Sequence, residues 1–327
     1  MTGKVTPDDL IEEVFTRTGA DDPAVLQGPA DGEDAAAIDA GEGTLVVSSD
    51  PISLSASHVG RLGVHVACND VAVSGVDPRW LTVVIMLAGD GEEANDGDEQ
   101  PLDAITADVD AAAREVGASI VGGHTEYLDA LDRPLVSLTA MGVGEFVPTG
   151  GAQPGDRLVL AGAAAIEGTA ILATDFGDEF GVDPDVCERA AGFLDGISVV
   201  PAARALREHA TAMHDPTEGG ILAGLQELAR AAEVALDVDP DAVPVREATR
   251  VLADAAGVDP LRILGSGAVV AAVPERAVDD ALTALDDAGI EGAGIGAVKA
   301  GEPTVALDGE RLDEPVEDDL YALWESA

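Results

Sequence analysis

Cationic side chains are what this chain most lacks. Among 327 residues, 17 are Lys or Arg against 63 Asp or Glu, a formal net charge of −46. Lys4 and Lys299 are the only lysines. With no basic patch or stripe, nucleic acid is excluded as a partner. Acid spread along the whole length, with arginine in place of lysine, is expected of a protein adapted to very high salt. There the screening length falls to roughly 3 Å and hydrated carboxylates keep the surface soluble. Cysteine is also scarce: Cys68 and Cys187 lie far apart with no paired spacing, and both are expected to be small buried hydrophobes rather than a disulfide, a metal cluster or a nucleophile. No uncharged apolar run reaches membrane-spanning length. The opening stretch MTGKVTPDDLIEEVF is acidic and has no apolar signal core, so a cytoplasmic location is expected. No G-x-x-x-x-G-K-[ST], G-x-S-x-G or H-E-x-x-H occurs, which removes the P-loop, the serine nucleophile elbow and the zincin helix.

What is present is material for two cores. An apolar fraction of 46% over this length suits two domains, and the Gly/Pro-rich PTGGAQPGD at 148–156 marks the boundary, giving domains at 1–148 and 149–327. In the first, helices are expected at 7–18, 57–75 and 102–117, and strands at 43–50, 80–88, 119–126 and 134–145. Residues 89–100, GDGEEANDGDEQ, form an acidic loop. In the second, strands are expected at 157–162, 267–273 and 292–300, and helices at 166–175, 184–208, 218–232, 246–256 and 276–288. Strands and helices mix in both halves, so the class is α/β or α+β. The strands at 43–50, 80–88 and 134–145 are apolar almost continuously, so both faces of their sheet need covering. The helices at 57–75 and 102–117 can cover one, and a second copy of the chain is expected to cover the other.

The chemistry concentrates in acids at strand ends and on helix faces: DGEDAA (31–36), SSDP (48–51), CND (68–70), GGHTE (122–126) and HDPTEGG (214–220). Most isolated acids in so acidic a chain are solvated. Asp70 differs, because it shares an inward helix face with Gly63, Val66 and Val73 and has no Lys or Arg three or four residues away. A buried, unpaired carboxylate costs several kcal/mol. A hard cation held by several aspartates and polyphosphate oxygens would remove that cost, and bonds to backbone amides are the alternative. In HDPTEGG, Asp215 ends a strand and Thr217 or Asp215 caps a helix starting near Glu218. Gly219 and Gly220, unfavourable inside a helix, point to close approach of a ligand or another backbone at an anion-binding N-terminus. VGGHT likewise ends a strand in glycines that bare the backbone beside His124.

Taken in order, GEDAA, SSDP, NDVAVSGVDPRW, VGGHTE, PGDRLVLAG, IEGTAILA, HDPTEGG and LGSGAVVAAV resemble the aminoimidazole ribonucleotide (AIR) synthase superfamily over almost the whole chain. The nearest likeness is to its archaeal AIR-synthase-related and hydrogenase-maturation members. The resemblance implies two α/β domains, a homodimer whose N-terminal domains share a β-barrel, and Mg²⁺ and ATP in a cleft near that interface. It implies activation of a carbonyl or amide oxygen, or of another acceptor, by phosphoryl transfer. Asp34, Asp50 and Asp70 then match the Mg²⁺–phosphate aspartates; Gly122, Gly123 and Thr125 match the phosphate loop; and Asp215 matches the C-terminal-domain aspartate facing the site. Asn69 is expected to orient its neighbour or a water, Thr217 and Gly219 to contact the cofactor, and His124 to join Asp70 and Asp215 in catalysis. Two departures bear on the acceptor: no cysteine follows Cys187, where the hydrogenase-maturation enzyme carries its substrate on a terminal cysteine, and residues 1–30 hold none, unlike selenophosphate synthetase. Ala165 stands where a glycine is usual, and His124 where thiamine-monophosphate kinase has an aspartate. The substrate is then a small molecule or the terminus of a partner protein, acted on by a phosphotransferase or by a dehydratase working on that partner. A nucleotide-binding dimer without turnover is the non-enzymatic alternative.

Overall fold

The computed structural model describes residues 9–52, 59–89 and 101–326. The first half builds one six-stranded sheet from β1 (Val25–Gln27), β2 (Ala36–Asp39), β3 (Thr44–Ile52), β4 (Trp80–Ala88), β5 (Ser119–Leu128) and β6 (Leu135–Gly144), in the order β1-β2-β3-β6-β4-β5. All neighbours are antiparallel except β4 and β5. Two helices, α1 (Val59–Val73) and α2 (Pro101–Val116), pack on one face. Gly63 makes that packing possible, since a Cβ there would meet Leu138 Cδ1 at 2.4 Å. Gly75, at φ +86°, ends α1 by turning the chain with its N–H on Ala72 O. The acidic 89–100 loop falls, Gly89 aside, outside the described residues.

β4 and β6 alternate between buried and half-buried positions along their length. Leu81, Val83, Ile85 and Leu87 lie under the helices, each contributing about 2 kcal/mol by burial. Val84 and Met86 of β4, with Leu45 and Val47 of β3 and Met141 of β6, share the opposite face, which no helix among the described residues covers. Both faces are apolar in sequence, and one is covered. β5 is the sheet's edge and is exposed on both faces, leaving Ile120, Val121 and Tyr127 between 46% and 57% accessible.

The second half forms a seven-stranded sheet from β7 (Asp156–Ala161), β8 (Ala212–His214), β9 (Ala235–Val238), β10 (Val269–Pro274), β11 (Gly292–Lys299), β12 (Thr304–Leu307) and β13 (Glu310–Arg311), ordered β13-β12-β9-β11-β7-β10-β8. Three helices matter below: α3 (Val200–Leu206), α4 (Gly220–Ala231) and α5 (Asp319–Ser326). The two halves share one core, in which Val64, Val71 and Leu138 join Val159, Leu206 and Val269. Several expected elements differ. The 7–18 helix shows only a short π-helical stretch, Leu10–Val14, with Ile11 and Val14 exposed. The 184–208 helix is cut at Gly192–Gly196 into Pro184–Ala191 and α3, and the helix in HDPTEGG begins at Gly220 rather than near Glu218. Ala165 is held at φ +57°, a left-handed conformation that costs an alanine roughly 1 kcal/mol and accounts for the usual glycine there. Among the described residues, no helix is long and apolar enough to cross a membrane.

His65 on α1 is wholly buried, and both its ring nitrogens lack a hydrogen-bond partner. Burial, helped by the Arg61 charge and opposed by Glu115, pushes its pKa down to about 4. The folded state therefore keeps a neutral ring while the unfolded chain titrates near 6.5. This contribution is fully present above pH 6.5 and is lost as pH falls toward 4, a loss of about 3 kcal/mol. His65→Leu should flatten the fall in stability between pH 7 and pH 4 by that amount in urea titrations at high salt. An unchanged slope would place the acid sensitivity elsewhere.

Candidate functional site

Four carboxylates from both halves meet where the sheets adjoin. Ser48 and Asp50 lie on the α1-facing side of β3, and Asp70 lies near the end of α1. Asp34 precedes β2, and Asp215 follows β8 directly. Ser48 Oγ is 2.6 Å from Asp70 Oδ2 and 3.0 Å from Asp50 Oδ2. One hydroxyl donates one proton, so a proton on one of the two carboxyls completes this pair. Burial, then the charges of Asp215, Asp50 and Asp34, hold Asp70 well above the usual carboxylate range against the Ser48 hydrogen bond. Asp215 is 2% exposed, and its Oδ1 is buried with no partner. Burial and Asp34 raise its pKa in the same way, with His214 opposing.

One cation stands beside these acids. His214 has Nδ1 2.8 Å from Asp34 Oδ2 and Nε2 2.9 Å from Glu227 Oε2. Burial opposes its charge, but Asp34 and Glu227 outweigh it and hold its pKa well above 6.5. His214 in HDPTEGG, Ser48 in SSDP and Thr149 in PTGGAQPGD carry no sequence signal of a role, and Glu227 lies outside all of these motifs.

The oxygen-only donor set and the orphaned Asp215 Oδ1 fit a hard divalent cation. Among the described residues, no three His, Cys, Asp or Glu side chains are assembled closely enough to hold an ion by themselves. That suits Mg²⁺, which commonly takes one or two carboxylates and fills its remaining positions with water and phosphate oxygens.

The other expected site residues lie elsewhere. Gly122, Gly123, His124 and Thr125 sit on β5, three strands from β3, and line a cleft of about 410 Å³ with Val83, Ile85, Thr106 and Val109. At about 4.8 Å per strand, β3 and β5 are roughly 14 Å apart. Gly123 is required by the strand pairing, because a Cβ would fall 1.9 Å from Val83 O. His124 is 68% exposed, with Glu126 at 3.5 Å, and no carboxylate of the cluster adjoins it. Asn69 was expected to orient its neighbour or a water beside the cofactor. Instead its amide spans the two halves, donating from Nδ2 to Ile197 O and accepting at Oδ1 from Val199 N, each at 2.9 Å. The N-terminus of α4 is not open to an anion either: Gly219 N donates to Asp318 Oδ2 at 2.8 Å, and Thr217 O accepts from Gly220 N and Gly265 N. Gly220 is glycine because Leu261 O and Ile263 O would each lie 2.7 Å from a Cβ, so the close approach is of backbone to backbone.

Two α/β halves share one core, with an oxygen-donor carboxylate cluster between them. Residues 21–144 match the family model for the AIR synthase related protein N-terminal domain, and residues 153–308 that for its C-terminal domain. The chain belongs to the AIR synthase related family. It is 32% identical over 308 residues to carbamoyl dehydratase HypE of Azotobacter vinelandii, covering 90% of this chain and 85% of that protein. The structure of hydrogenase maturation protein HypE in complex with ATP is 27% identical, with a TM-score of 0.69 over 94% of this chain and 92% of that one. AaThiL complexed with AMPPCP and TMP shares the fold, with a TM-score of 0.73 at 18% identity over 90% of this chain and 93% of that one.

The cluster has a measurable cost. With no cation added, Asp215→Asn removes one of the mutually repelling buried charges and should raise stability by about 1 kcal/mol, seen as a higher thermal midpoint in chelator. A lower midpoint would mean that Asp215 is held by interactions that outweigh the repulsion.

Proposed function

We propose that the protein is an enzyme that binds Mg²⁺-ATP and transfers the γ-phosphoryl group to an acceptor oxygen. The observation that carries this reading is the convergence of Asp34, Asp50, Asp70 and Asp215 without a lysine or arginine to neutralise them. One or two of Asp34, Asp50 and Asp70 would hold the cation, with water and phosphate oxygens filling its other positions; when bound it supplies the positive charge that offsets the phosphate oxygens. Asp215, from the opposite half, faces the same space. Its buried oxygen is placed to accept a proton from an acceptor hydroxyl or amide, or to orient the acceptor. Ser48 fixes Asp70, and the Asn69 clamp keeps the halves in register while the charges change. ATP bound to the HypE relative supports the cofactor.

Gly122, Gly123, His124 and Thr125 enter this reading through a second copy of the chain. One copy cannot bring β5 to its own carboxylates across three strands. The uncovered sheet face, with the edge strand exposed on both sides, is the apolar surface that a twofold partner would bury in a shared barrel.

The acceptor class has a second reading, favoured by the carbamoyl dehydratase relatives: dehydration of an amide carried by a separate partner. Neither cysteine of this chain serves as a carrier at the site. Cys68 is fully buried, with its thiol pushed up to about 12 by burial and the Asp70 charge, and Cys187 packs beside Gly177 on the second half.

Calorimetry in molar KCl should show Mg²⁺-ATP binding that Asp70→Asn weakens at least about tenfold, the loss of one close charge interaction. Equal affinity in the variant would remove Asp70 from the site, and no binding by the wild type would overturn the cofactor. ATP binding without ADP release across a panel of acceptors would favour a nucleotide-binding dimer without turnover. Light scattering at micromolar protein should give twice 33.0 kDa. A monomer mass would mean that β5 does not complete the site.

A further inference from the structure

Behind the carboxylate cluster, Glu227 of α4, the buried His214 of β8 and Asp34 form one run of hydrogen bonds, 2.9 Å and 2.8 Å long. Carboxylates accept and do not donate, so a ring with a carboxylate at each nitrogen carries both protons. Thr149 Oγ1 also lies 3.1 Å from the same Asp34 Oδ2. Both donors converge on Oδ2, and Oδ1 is the Asp34 oxygen that neither His214 nor Thr149 engages.

The backbone carrying Asp34 is fastened to the same helix. Asp31 pairs with Arg230 of α4 at 2.6 Å. Gly32, at φ +81°, lies so close to α4 that a Cβ would be 2.6 Å from Glu227 O. Glu33 accepts from Gly150 N at 3.1 Å. Asp31 and Gly32 thus place Asp34 against α4, Glu33 ties the same segment to Gly150, and Glu227 reaches the Asp34 carboxyl group through His214. A capping or purely packing role for His214 would need one acceptor. Two acceptors, one on each ring nitrogen from helix to cluster, make the ring a brace for one oxygen of Asp34.

We propose that Glu227 and His214 are positioning residues that fix the Asp34 carboxylate and thereby set the affinity of the cluster for a divalent cation with nucleotide. This rests on the reading above that the cluster holds such a cation. Partners that orient a ligating side chain typically change metal affinity by about 10- to 100-fold when removed.

The test is Mn²⁺ binding in the presence of ATP, read by electron paramagnetic resonance of the free ion, on the full chain in high salt. Glu227→Ala should weaken Mn²⁺ binding by about tenfold or more, and Glu227→Gln, whose amide oxygen still accepts from Nε2, should restore it to within about threefold of wild type. Thr149→Val should weaken it by a smaller factor. Thermal midpoints in chelator accompany each variant, because a merely structural role would lower the midpoint and leave the Mn²⁺ affinity of the folded protein unchanged. If the wild type binds Mn²⁺ and Glu227→Ala binds it equally well, the brace is overturned and the cation site stands. If the wild type binds no Mn²⁺ with ATP, the cation site falls and the brace with it.

Discussion

Four carboxylates crowded together at the junction of the halves, Asp215 buried and Asp34, Asp50 and Asp70 half-buried, with His214 beside them for counter-charge, are the constraint on which this molecule turns. Burial limits how far water can disperse that repulsion. Asp70 and Asp215 respond as physical chemistry requires, by holding their protons far more tightly than free carboxylates do. Such an arrangement does not arise from folding alone. A sequence selected only for stability would replace these acids with apolar or amide residues of similar volume. Their presence supports the proposal that a positively charged ligand completes the site.

The surrounding structure is organised to tolerate this repulsion without giving way. The cluster draws residues from β3, from α1, from the segment before β2 and from the end of β8, so it exists only while the halves stay in register. Asn69, one residue from Asp70, bonds two backbone groups of the second half. Asp77, just past α1, pairs with Arg204 on α3 at 2.6 Å and with Arg207 at 3.3 Å. In a chain so short of cations, placing two of its arginines on one carboxylate at the junction shows where it needs holding. Arg230 on Asp31 repeats the device beside Asp34.

The acids of this site were legible in sequence because each breaks a local rule. Asp70 lies on an apolar helix face, and Asp34, Asp50 and Asp215 stand at the ends of short apolar runs. Their ordered motifs also carried the family resemblance. The partners were not legible, because Glu227 lies about two helix turns beyond HDPTEGG and Asp34 is 180 positions from His214. The same applies to α4, whose open N-terminus was a fair inference until Asp318, 99 residues later, is seen to cap it. The Asn69 clamp was hidden for a related reason: its partners, Ile197 and Val199, lie 128 and 130 residues away across the domain junction. Of the fold, long elements such as α1 and β4 were visible in their periodicity. Val25–Gln27, Ala36–Asp39 and Glu310–Arg311 were not, since two to four residues carry no period to read. The uncovered sheet face was visible in part: sequence showed that it was apolar, and only the structure showed which side lacked a cover.

The central claim is that Asp34, Asp50, Asp70 and Asp215 form one cation–nucleotide site across the two halves of the chain. Crystals grown with Mn²⁺ and a non-hydrolysable ATP analogue test it most directly, through the anomalous signal of the metal. The account predicts a Mn²⁺ peak among these four carboxylates, with phosphate oxygens completing its shell. A peak elsewhere, or a nucleotide bound while all four carboxylates keep their contacts only with one another, would contradict it.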